Sequence, residues 1–186
     1  MHKRQTRAHS LPERWLISDA RNDAVLEKFL RSAPQPIGFV FRHYHLPPTA
    51  RRARYDRLKH VAAHHGHLVV LSGSPALARR WRAHGCYGPP GQIGRSRGGL
   101  IAITTAHDMT EIAMANRKGA DAVMLSPVFP TRSHPGARPL GPIRFFIMAR
   151  HSQAPVIALG GMNARRARRL AWKYWAAIDG FSVAAT

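Results

Sequence analysis

GADAVMLSPVFPTRSHPG, residues 119–136, leads from small residues and an acid through an apolar strand into a polar loop. The strand is short and apolar throughout, as strands are when helices cover both faces of a parallel sheet. Loops that follow such strands carry the binding groups of α/β proteins, and this loop is rich in Pro, Thr, Ser, His and Arg. The stretch therefore predicts a buried parallel strand followed by a functional loop.

The same alternation of strand and helix continues along the chain. The predicted strands are 14–20, 37–44, 67–73, 85–88, 100–106, 121–127, 154–161 and 180–186. The predicted helices are 22–32, 47–65, 74–84, 108–119, 141–152 and 163–176. This order predicts an α/β fold, a compact (β/α)8 TIM barrel, with an open doubly wound sheet as the alternative. No helix is predicted after the last strand, so we expect the final helix of the barrel to be missing.

Length and composition set the class of protein. The chain has 186 residues, of which 45% are hydrophobic, which is enough for one domain with a full core. We expect a basic N-terminal tail at 1–13 and a single barrel domain at 14–186. No apolar run is long enough to span a membrane, and the N-terminus lacks the apolar segment of a signal peptide. The single cysteine, Cys86, excludes an internal disulfide, which is typical of a cytoplasmic protein.

The net charge of the chain is strongly positive. Lys and Arg total 29 against 9 Asp and Glu, a formal charge of +20 with neutral His. Such a field attracts phosphate groups on small molecules, nucleic acids or membrane surfaces. The basic residues are spread along the whole chain, which favours Arg on solvated faces. Aromatic residues make up only 8% and no nucleic-acid-binding motif is present, so a nucleic-acid partner is not expected.

Polar residues gather where the predicted strands end, and these are the positions that carry function in a barrel. Arg42 ends an apolar strand, and a buried Arg needs an anionic partner such as a substrate phosphate. Thr105 and His107 belong to the segment TTAH, where they either serve a site or cap the next helix and face solvent. Gly160 and Gly161 leave backbone N–H groups bare after the seventh strand, where many barrels bind phosphate.

Taken together, these segments resemble the thiamine phosphate synthases and their thiazole tautomerase relatives. GADAVMLSPVFPTRSH is similar to the family's Gly-Ala-Asp strand followed by Gly-Pro-Val-Phe-Pro-Thr, and PVIALGGM is similar to its Pro-Val-Val-Ala-Ile-Gly-Gly-Ile. RWLISDA, TTAH and IDGFSVAAT resemble the family's first strand, its Ser-x-His segment and its last strand. The resemblance keeps its order from near Trp15 to the C-terminus, and the segments 127–131 and 155–161 are its specific matches.

The resemblance implies a β/α barrel and a transferase of thiamine biosynthesis. The family's synthase couples a pyrimidine methyl diphosphate to a thiazole phosphate. Diphosphate leaves with the help of Mg²⁺, and the thiazole nitrogen attacks the pyrimidine carbocation. The implied catalytic residues are His107, Arg42 and His134. The implied residues for substrate or phosphate binding are Thr105, Pro130, Thr131, Ser133, Gly160, Gly161, Val183 and Ala184.

The chain departs from the family where the metal should bind. The family's third strand ends in Asn-Asp and its fourth carries His-x-Gly-Gln-x-Asp, whereas here Ser72 and Tyr87 occupy these strands. Mg²⁺ requires oxygen ligands, usually carboxylates. Only Asp19 is predicted at a catalytic strand end, while Asp121 and Asp179 are predicted before their strands, at the opposite end of the barrel. The sequence therefore predicts no set of metal ligands, and Arg and His side chains would have to neutralise the negative charge of the diphosphate.

Two alternatives to the synthase remain open. A thiazole tautomerase moves a proton without Mg²⁺, and the resemblance implies His107 as its general acid/base, with His134 and His43 as further candidates. A barrel that lacks the acids could also bind a phosphorylated ligand without turnover, as a regulator.

The segment AWKYWAAI, residues 171–178, carries three large aromatic side chains. Ordinary packing of a helix on the barrel is the favoured interpretation of these aromatics. A homodimer through this face is the alternative.

Overall fold

The computed structural model describes residues 11–93, 98–133, 136, 138–179 and 181. Eight parallel strands form a closed barrel in chain order, and the first strand pairs with the last. The strands are β1 (Arg14–Ile17), β2 (Gly38–Phe41), β3 (Leu68–Ser72), β4 (Gly85–Gly88), β5 (Ile101–Ala106), β6 (Ala122–Leu125), β7 (Val156–Ala158) and β8 (Trp175–Ala177). The prediction of a (β/α)8 barrel is confirmed, and the open sheet is excluded.

Helices lie between most pairs of strands. They are α1 (Leu26–Ser32), α2 (Pro48–His64), α3 (Pro75–Arg80), α4 (Met109–Lys118), α5 (Gly141–Ala149) and α6 (Ala164–Leu170), and a short 3-10 helix, Ala20–Val25, precedes α1. Asp108 caps α4 and Asn163 caps α6, each accepting a backbone N–H three residues ahead. Between β4 and β5 the described residues contain no helix. None of the helices in the described ranges is both long and apolar enough to cross a lipid bilayer.

The strands bury both faces, in two separate layers of the core. Trp15, Val40 and Ile103 belong to the cluster inside the barrel, whereas Leu16 and Phe41 belong to a cluster between strands and helices. Side chains alternate along a strand, so the residue two positions after an interior residue also faces the interior. At the carboxyl end of each strand, this alternation aims one side chain into the mouth of the barrel.

The eighth strand lies earlier than the sequence predicts. Helix α6 ends at Leu170, because Ala171 adopts a left-handed conformation with φ of +49°. β8 begins at Trp175, within the predicted helix 163–176, so the predicted end of this helix is wrong. The strand that closes the barrel is therefore Trp175–Ala177 and precedes the segment 180–186. Within 180–186 only Phe181 is described, and it is not part of a strand.

The aromatic residues around β8 explain this shift. Trp172 donates its Nε1–H to Val156 O at 2.8 Å and packs edge-on against Phe145. Trp175 is buried and stacks on Phe181 with 4.9 Å between ring centroids. These contacts seat the segment against β7 and α5, so the aromatic pattern that looks helical in sequence belongs to a turn and a strand.

The stability of the fold is expected to fall in mild acid because of His67. This buried imidazole accepts the Ile37 N–H at Nδ1 (3.2 Å), and its Nε2 lies 2.7 Å from Leu30 O. Burial lowers its pKa below the ordinary value, and the hydrogen bond to Leu30 opposes this only partly. As pH falls below about 6.5, the unfolded chain therefore binds more protons at this histidine than the folded protein does, and the free energy of unfolding decreases.

Thermal denaturation of the wild type and of His67→Gln, followed from pH about 7.5 down to about 5, tests this expectation. The variant should be less stable near neutral pH and should lose less stability on acidification. Equal pH slopes in the two proteins would contradict the assignment to His67.

Candidate active site

The carboxyl ends of the strands surround a cleft of about 340 Å³. Among the residues that line it are seven of those predicted for the site: Arg42, His107, Pro130, Thr131, Ser133, Gly160 and Gly161. Thr105 is partly buried in β5 and does not line this cleft. The predicted site residues His134, Val183 and Ala184 lie outside the described residues. The lining also contains four residues that were not predicted to bind a ligand, namely Arg132, Asn163, Arg166 and Asp179.

Gly160 and Gly161 form the corner at which β7 turns toward α6. Their φ angles are +91° and +60°, and residues other than glycine rarely adopt this backbone conformation. A Cβ atom on Gly160 would lie 2.6 Å from Pro127 Cα, and one on Gly161 would collide with Pro130 O. The corner therefore presents bare backbone to the cleft, and the chain can approach the loop after β6 only because both residues are glycine.

Main-chain hydrogen bonds hold the loop after β6 against this corner. Val128 N donates to Leu159 O at 2.9 Å, and Phe129 N donates to Gly160 O at 3.1 Å. Leu140 N donates to Pro127 O at 2.8 Å and closes the base of the loop. The polar groups that follow the sixth strand are thus fixed at the rim of the cleft, where the sequence predicted a functional loop.

Arg166 lies beside the same corner, one turn into α6. Its Nη1 donates to Gly161 O, and its guanidinium lies 5.0 Å from the centre of the Phe129 ring. Asn163 Oδ1 accepts the Arg166 N–H at 2.8 Å and caps the helix. The side of the cleft formed by β7 therefore combines bare backbone with a fixed guanidinium.

Arg42 lies on the opposite side of the mouth. It follows β2 two positions after Val40, which fills the interior, so alternation along the strand turns its side chain toward the mouth. Its backbone N–H donates to Ser18 Oγ at 2.8 Å, and its Nη2 lies 3.6 Å from Asp19 Oδ2. Within the described residues its Nε is buried and has no hydrogen-bond partner. An anion entering the cleft would supply an acceptor for this N–H group.

Asp179 lies at the mouth, which corrects its predicted position at the opposite end of the barrel. It follows β8, because that strand ends at Ala177, and its carboxylate lines the cleft. Arg21 Nη1 donates to Asp179 Oδ2 at 3.1 Å, and Arg132 Nη2 lies 3.4 Å from the same oxygen. Asp121, by contrast, precedes β6 as predicted, and its Oδ2 accepts the Ala102 N–H at 2.8 Å.

His107 follows β5 at the rim of the cleft, with 49% of its side chain exposed. Its Nδ1 lies 2.9 Å from Glu111 Oε2, and the same oxygen accepts its backbone N–H at 2.6 Å. A carboxylate on Nδ1 favours the tautomer that leaves Nε2 as the proton acceptor. The arrangement suits general acid/base chemistry at the cleft.

His43 takes a structural position beneath the mouth. Its Nδ1 lies 2.7 Å from Ser18 Oγ, and its Nε2 lies 2.7 Å from Asp23 Oδ1. Burial lowers the pKa of His43, although Asp23 opposes the shift. Ser18 is fully buried, so this Ser–His–Asp chain offers no nucleophile to a ligand.

The ends of β3 and β4 do not fit a magnesium ion. Ser72 Oγ is hydrogen-bonded to Tyr44 Oη and lies 3.5 Å from Tyr87 O, and Arg51 Nη2 donates to Ser72 O at 2.8 Å. Burial raises the pKa of Tyr87 to about 12, so its hydroxyl keeps its proton at neutral pH. Hydroxyls and a guanidinium therefore lie where Mg²⁺ would need carboxylates. Within the ranges that the structure describes, no three His, Cys, Asp or Glu side chains are grouped to hold a metal.

Comparison of the sequence with known proteins indicates one family. A family model described as thiamine monophosphate synthase matches residues 15–185. The chain is 32% identical over 159 residues to the thiamine-phosphate synthase of Thioalkalivibrio sulfidiphilus, and the match covers 81% of this chain and 73% of that protein. It is 28% identical over 135 residues to the thiamine-phosphate synthase of Alcanivorax borkumensis, a match that covers 66% of this chain and 60% of that protein.

A solved structure has the same fold. The thiamine phosphate pyrophosphorylase from Pyrococcus furiosus superposes with a TM-score of 0.74 at 21% identity, and the match covers 89% of this chain and 85% of that one. At this identity the likeness shows the fold alone, while the family model and the Thioalkalivibrio relative carry the assignment. The chain belongs to the thiamine monophosphate synthase family.

Proposed function

We propose that this protein couples a pyrimidine methyl diphosphate to a thiazole phosphate in thiamine biosynthesis. The observation that carries the proposal is the cleft at the mouth of the barrel, where the Gly160–Gly161 corner, the loop after β6 and Arg42 meet. Backbone N–H groups on one side and a guanidinium on the other suit two separate phosphorylated groups. The names of the relatives support the same reaction.

The β7 side of the cleft is proposed to bind the thiazole phosphate. Gly160 and Gly161 supply backbone that carries no side chain of its own, and Thr131 and Ser133 supply hydroxyls from the facing loop. The resemblance also implies Val183 and Ala184 for this site, and both lie outside the described residues. Arg166 holds the corner in place through Gly161 O and adds positive charge near the phosphate.

The β2 side is proposed to bind the diphosphate. Arg42 offers charge and an Nε–H group that has no acceptor among the described residues. In the reaction the C–O bond to diphosphate breaks, and its electron pair leaves with the diphosphate. The lone pair of the thiazole nitrogen then forms the new C–N bond to the pyrimidine methylene carbon. Arg42 stabilises the negative charge that grows on the leaving group.

A direct assay tests the proposal. The protein is mixed with pyrimidine methyl diphosphate and thiazole phosphate, with Mg²⁺ and separately with EDTA, and thiamine phosphate is measured. Formation of thiamine phosphate in either condition supports the coupling reaction. Absence of product in both conditions, for protein that is shown to be folded, would overturn it and leave proton transfer or ligand binding without turnover.

His107 supports a second candidate function, a thiazole tautomerase that needs no metal. The imidazole lines the cleft and is oriented by Glu111, as a general acid/base must be. We expect His107→Gln to reduce proton exchange on a thiazole carboxylate phosphate by about 100-fold or more, while phosphate binding is retained. Exchange is followed by deuterium incorporation from D₂O, and an unchanged rate in the variant would remove this role.

The setting of this reaction is proposed to be the cytoplasm, with residues 14–186 acting as one domain. Cys86, the single cysteine, is buried in β4, and an internal disulfide would need a second cysteine. Cell fractionation followed by detection of the protein would test the location.

A further inference from the structure

One guanidinium joins three segments across the mouth of the barrel. Arg21 Nε donates to Asp19 Oδ1 at 2.9 Å, beside the end of β1. Its Nη1 donates to Asp179 Oδ2 at 3.1 Å, just after β8, and its Nη2 donates to Ser133 Oγ at 2.9 Å, in the loop after β6. Arg21 therefore connects both carboxylates of the mouth to the loop that borders the proposed ligand site.

The contacts continue on both sides of Arg21 as a chain of alternating charges. Asp19 Oδ2 lies 3.6 Å from Arg42 Nη2, and Asp179 Oδ2 lies 3.4 Å from Arg132 Nη2. Burial alone would raise the pKa of Asp19, but the hydrogen bonds and charge of Arg21, with the charge of Arg42, keep it below the ordinary value. The hydrogen bond that Arg21 donates to Asp19 in turn raises the pKa of Arg21. Three guanidinium groups therefore face two carboxyl side chains, so in formal charge this row of side chains is positive.

Asp19 and Asp179 are the carboxylates that could serve a divalent cation at this mouth, and Arg21 already binds both. A metal ion that approached them would meet the positive charge of Arg21 at short range. It would also have to break the two charge-assisted hydrogen bonds that the carboxylates accept. The cation position between these acids is filled by a side chain of the protein.

We propose that Arg21 acts as a built-in cation that takes the place of a divalent metal at the mouth, so that phosphorylated ligands bind there without metal. The guanidinium neutralises Asp19 and Asp179, which would otherwise repel a phosphate, and holds Ser133 at the cleft. Arg21 is thus a positioning residue, acting through these two acids and this serine. The inference rests on the proposed function, because it assumes that the cleft binds a phosphorylated ligand.

The substitution Arg21→Gln removes the charge and keeps much of the length and hydrogen-bonding capacity. It removes the guanidinium that both carboxylates bind and leaves Asp19 only Arg42, and Asp179 only Arg132, as a nearby cation. The variant should therefore gain a site for Mn²⁺, detected by electron paramagnetic resonance. In EDTA, calorimetric titration with inorganic phosphate should show binding weakened by about tenfold. The wild type should bind no Mn²⁺ at the mouth, and its affinity for phosphate should be the same in EDTA and in Mg²⁺.

Two further variants separate charge from structure. Arg21→Lys keeps the charge without the three-way contact, so it should still exclude Mn²⁺. Arg31→Ala removes the positive charge of an exposed side chain that pairs with Glu27 on α1, away from the mouth, and this variant should match the wild type in both measurements. If Arg21→Gln does not fold, as judged by circular dichroism, the double variant Asp19→Asn/Asp179→Asn is titrated with phosphate in its place. We expect this double variant to bind phosphate without metal.

The proposal is overturned if the wild type binds Mn²⁺ at a site that Asp19→Asn removes. It is also overturned if Arg21→Gln behaves like Arg31→Ala in both titrations, or if phosphate binding to the wild type or the double variant depends on Mg²⁺. A wild type that binds no phosphate in either condition contradicts the proposed function and metal-free phosphate binding together. The Mn²⁺ titrations then show separately whether Arg21 excludes a cation from Asp19 and Asp179.

Discussion

Replacing Gly160 with alanine is expected to destabilise the protein by about 2–4 kcal/mol and to abolish phosphate binding in the cleft. The φ angle of +91° disfavours any residue with a Cβ, and the new methyl would lie 2.6 Å from Pro127 Cα and 3.2 Å from Val128 N. Both neighbours are backbone atoms of a loop fixed by main-chain hydrogen bonds, so they cannot rotate away. The corner and the loop would have to separate, and the cleft between them would lose its shape.

Denaturation by urea and calorimetric titration with inorganic phosphate measure the two effects. Gly119→Ala is the matched control, because Gly119 has φ of +64° at the end of α4 but a methyl group there would meet no atom of the described residues within 4 Å beyond its chain neighbours. That variant should lose only about 1 kcal/mol through backbone strain and should bind phosphate like the wild type. Equal behaviour of the two alanine variants would refute the packing argument at Gly160.

Arg42→Ala is expected to lower kcat/KM of the coupling reaction by about 100-fold or more. The guanidinium enters the mouth from β2, and its buried Nε–H is available to the leaving diphosphate. Its removal also takes a positive charge away from Asp19, which increases repulsion of the anionic substrate. Initial rates of thiamine phosphate formation provide the measurement.

Arg42→Lys should recover part of the loss, because it restores the charge without the planar set of donors. Arg52→Ala serves as the control, since Arg52 pairs with Asp56 on the exposed side of α2 and its loss removes the same charge elsewhere. A kcat/KM for Arg42→Ala close to that of Arg52→Ala would remove Arg42 from the leaving-group site.

Seven of the eight barrel strands, and the six α-helices of the described residues, were predicted in the correct order. Each of these strands is a short apolar run that ends at a polar or glycine-rich segment. Helix starts were also predictable: Asn163 caps α6, and Pro48 begins α2 with a φ angle that suits the first helical turn. These signals depend only on residues that are neighbours in the sequence, so they can be recognised without the tertiary structure. The eighth strand was misplaced because the segment AWKYWA, residues 171–176, has the residue pattern of a helix. In the structure, packing against β7 and α5 gives this segment the conformation of a turn and a strand.

The candidate site likewise has a part that could be predicted from the sequence and a part that only the tertiary structure shows. The sequence located Arg42, His107, Gly160 and Gly161 at strand ends, and strand ends of a closed parallel barrel must converge on one face, so these residues meet at one cleft. The contacts of Arg21 could not be predicted, since Asp179 lies 158 residues away and its place depended on the true position of β8. Local pattern sets which side chains stand at a strand end, but which charges neutralise each other depends on distances of a few ångströms that arise only when the barrel closes.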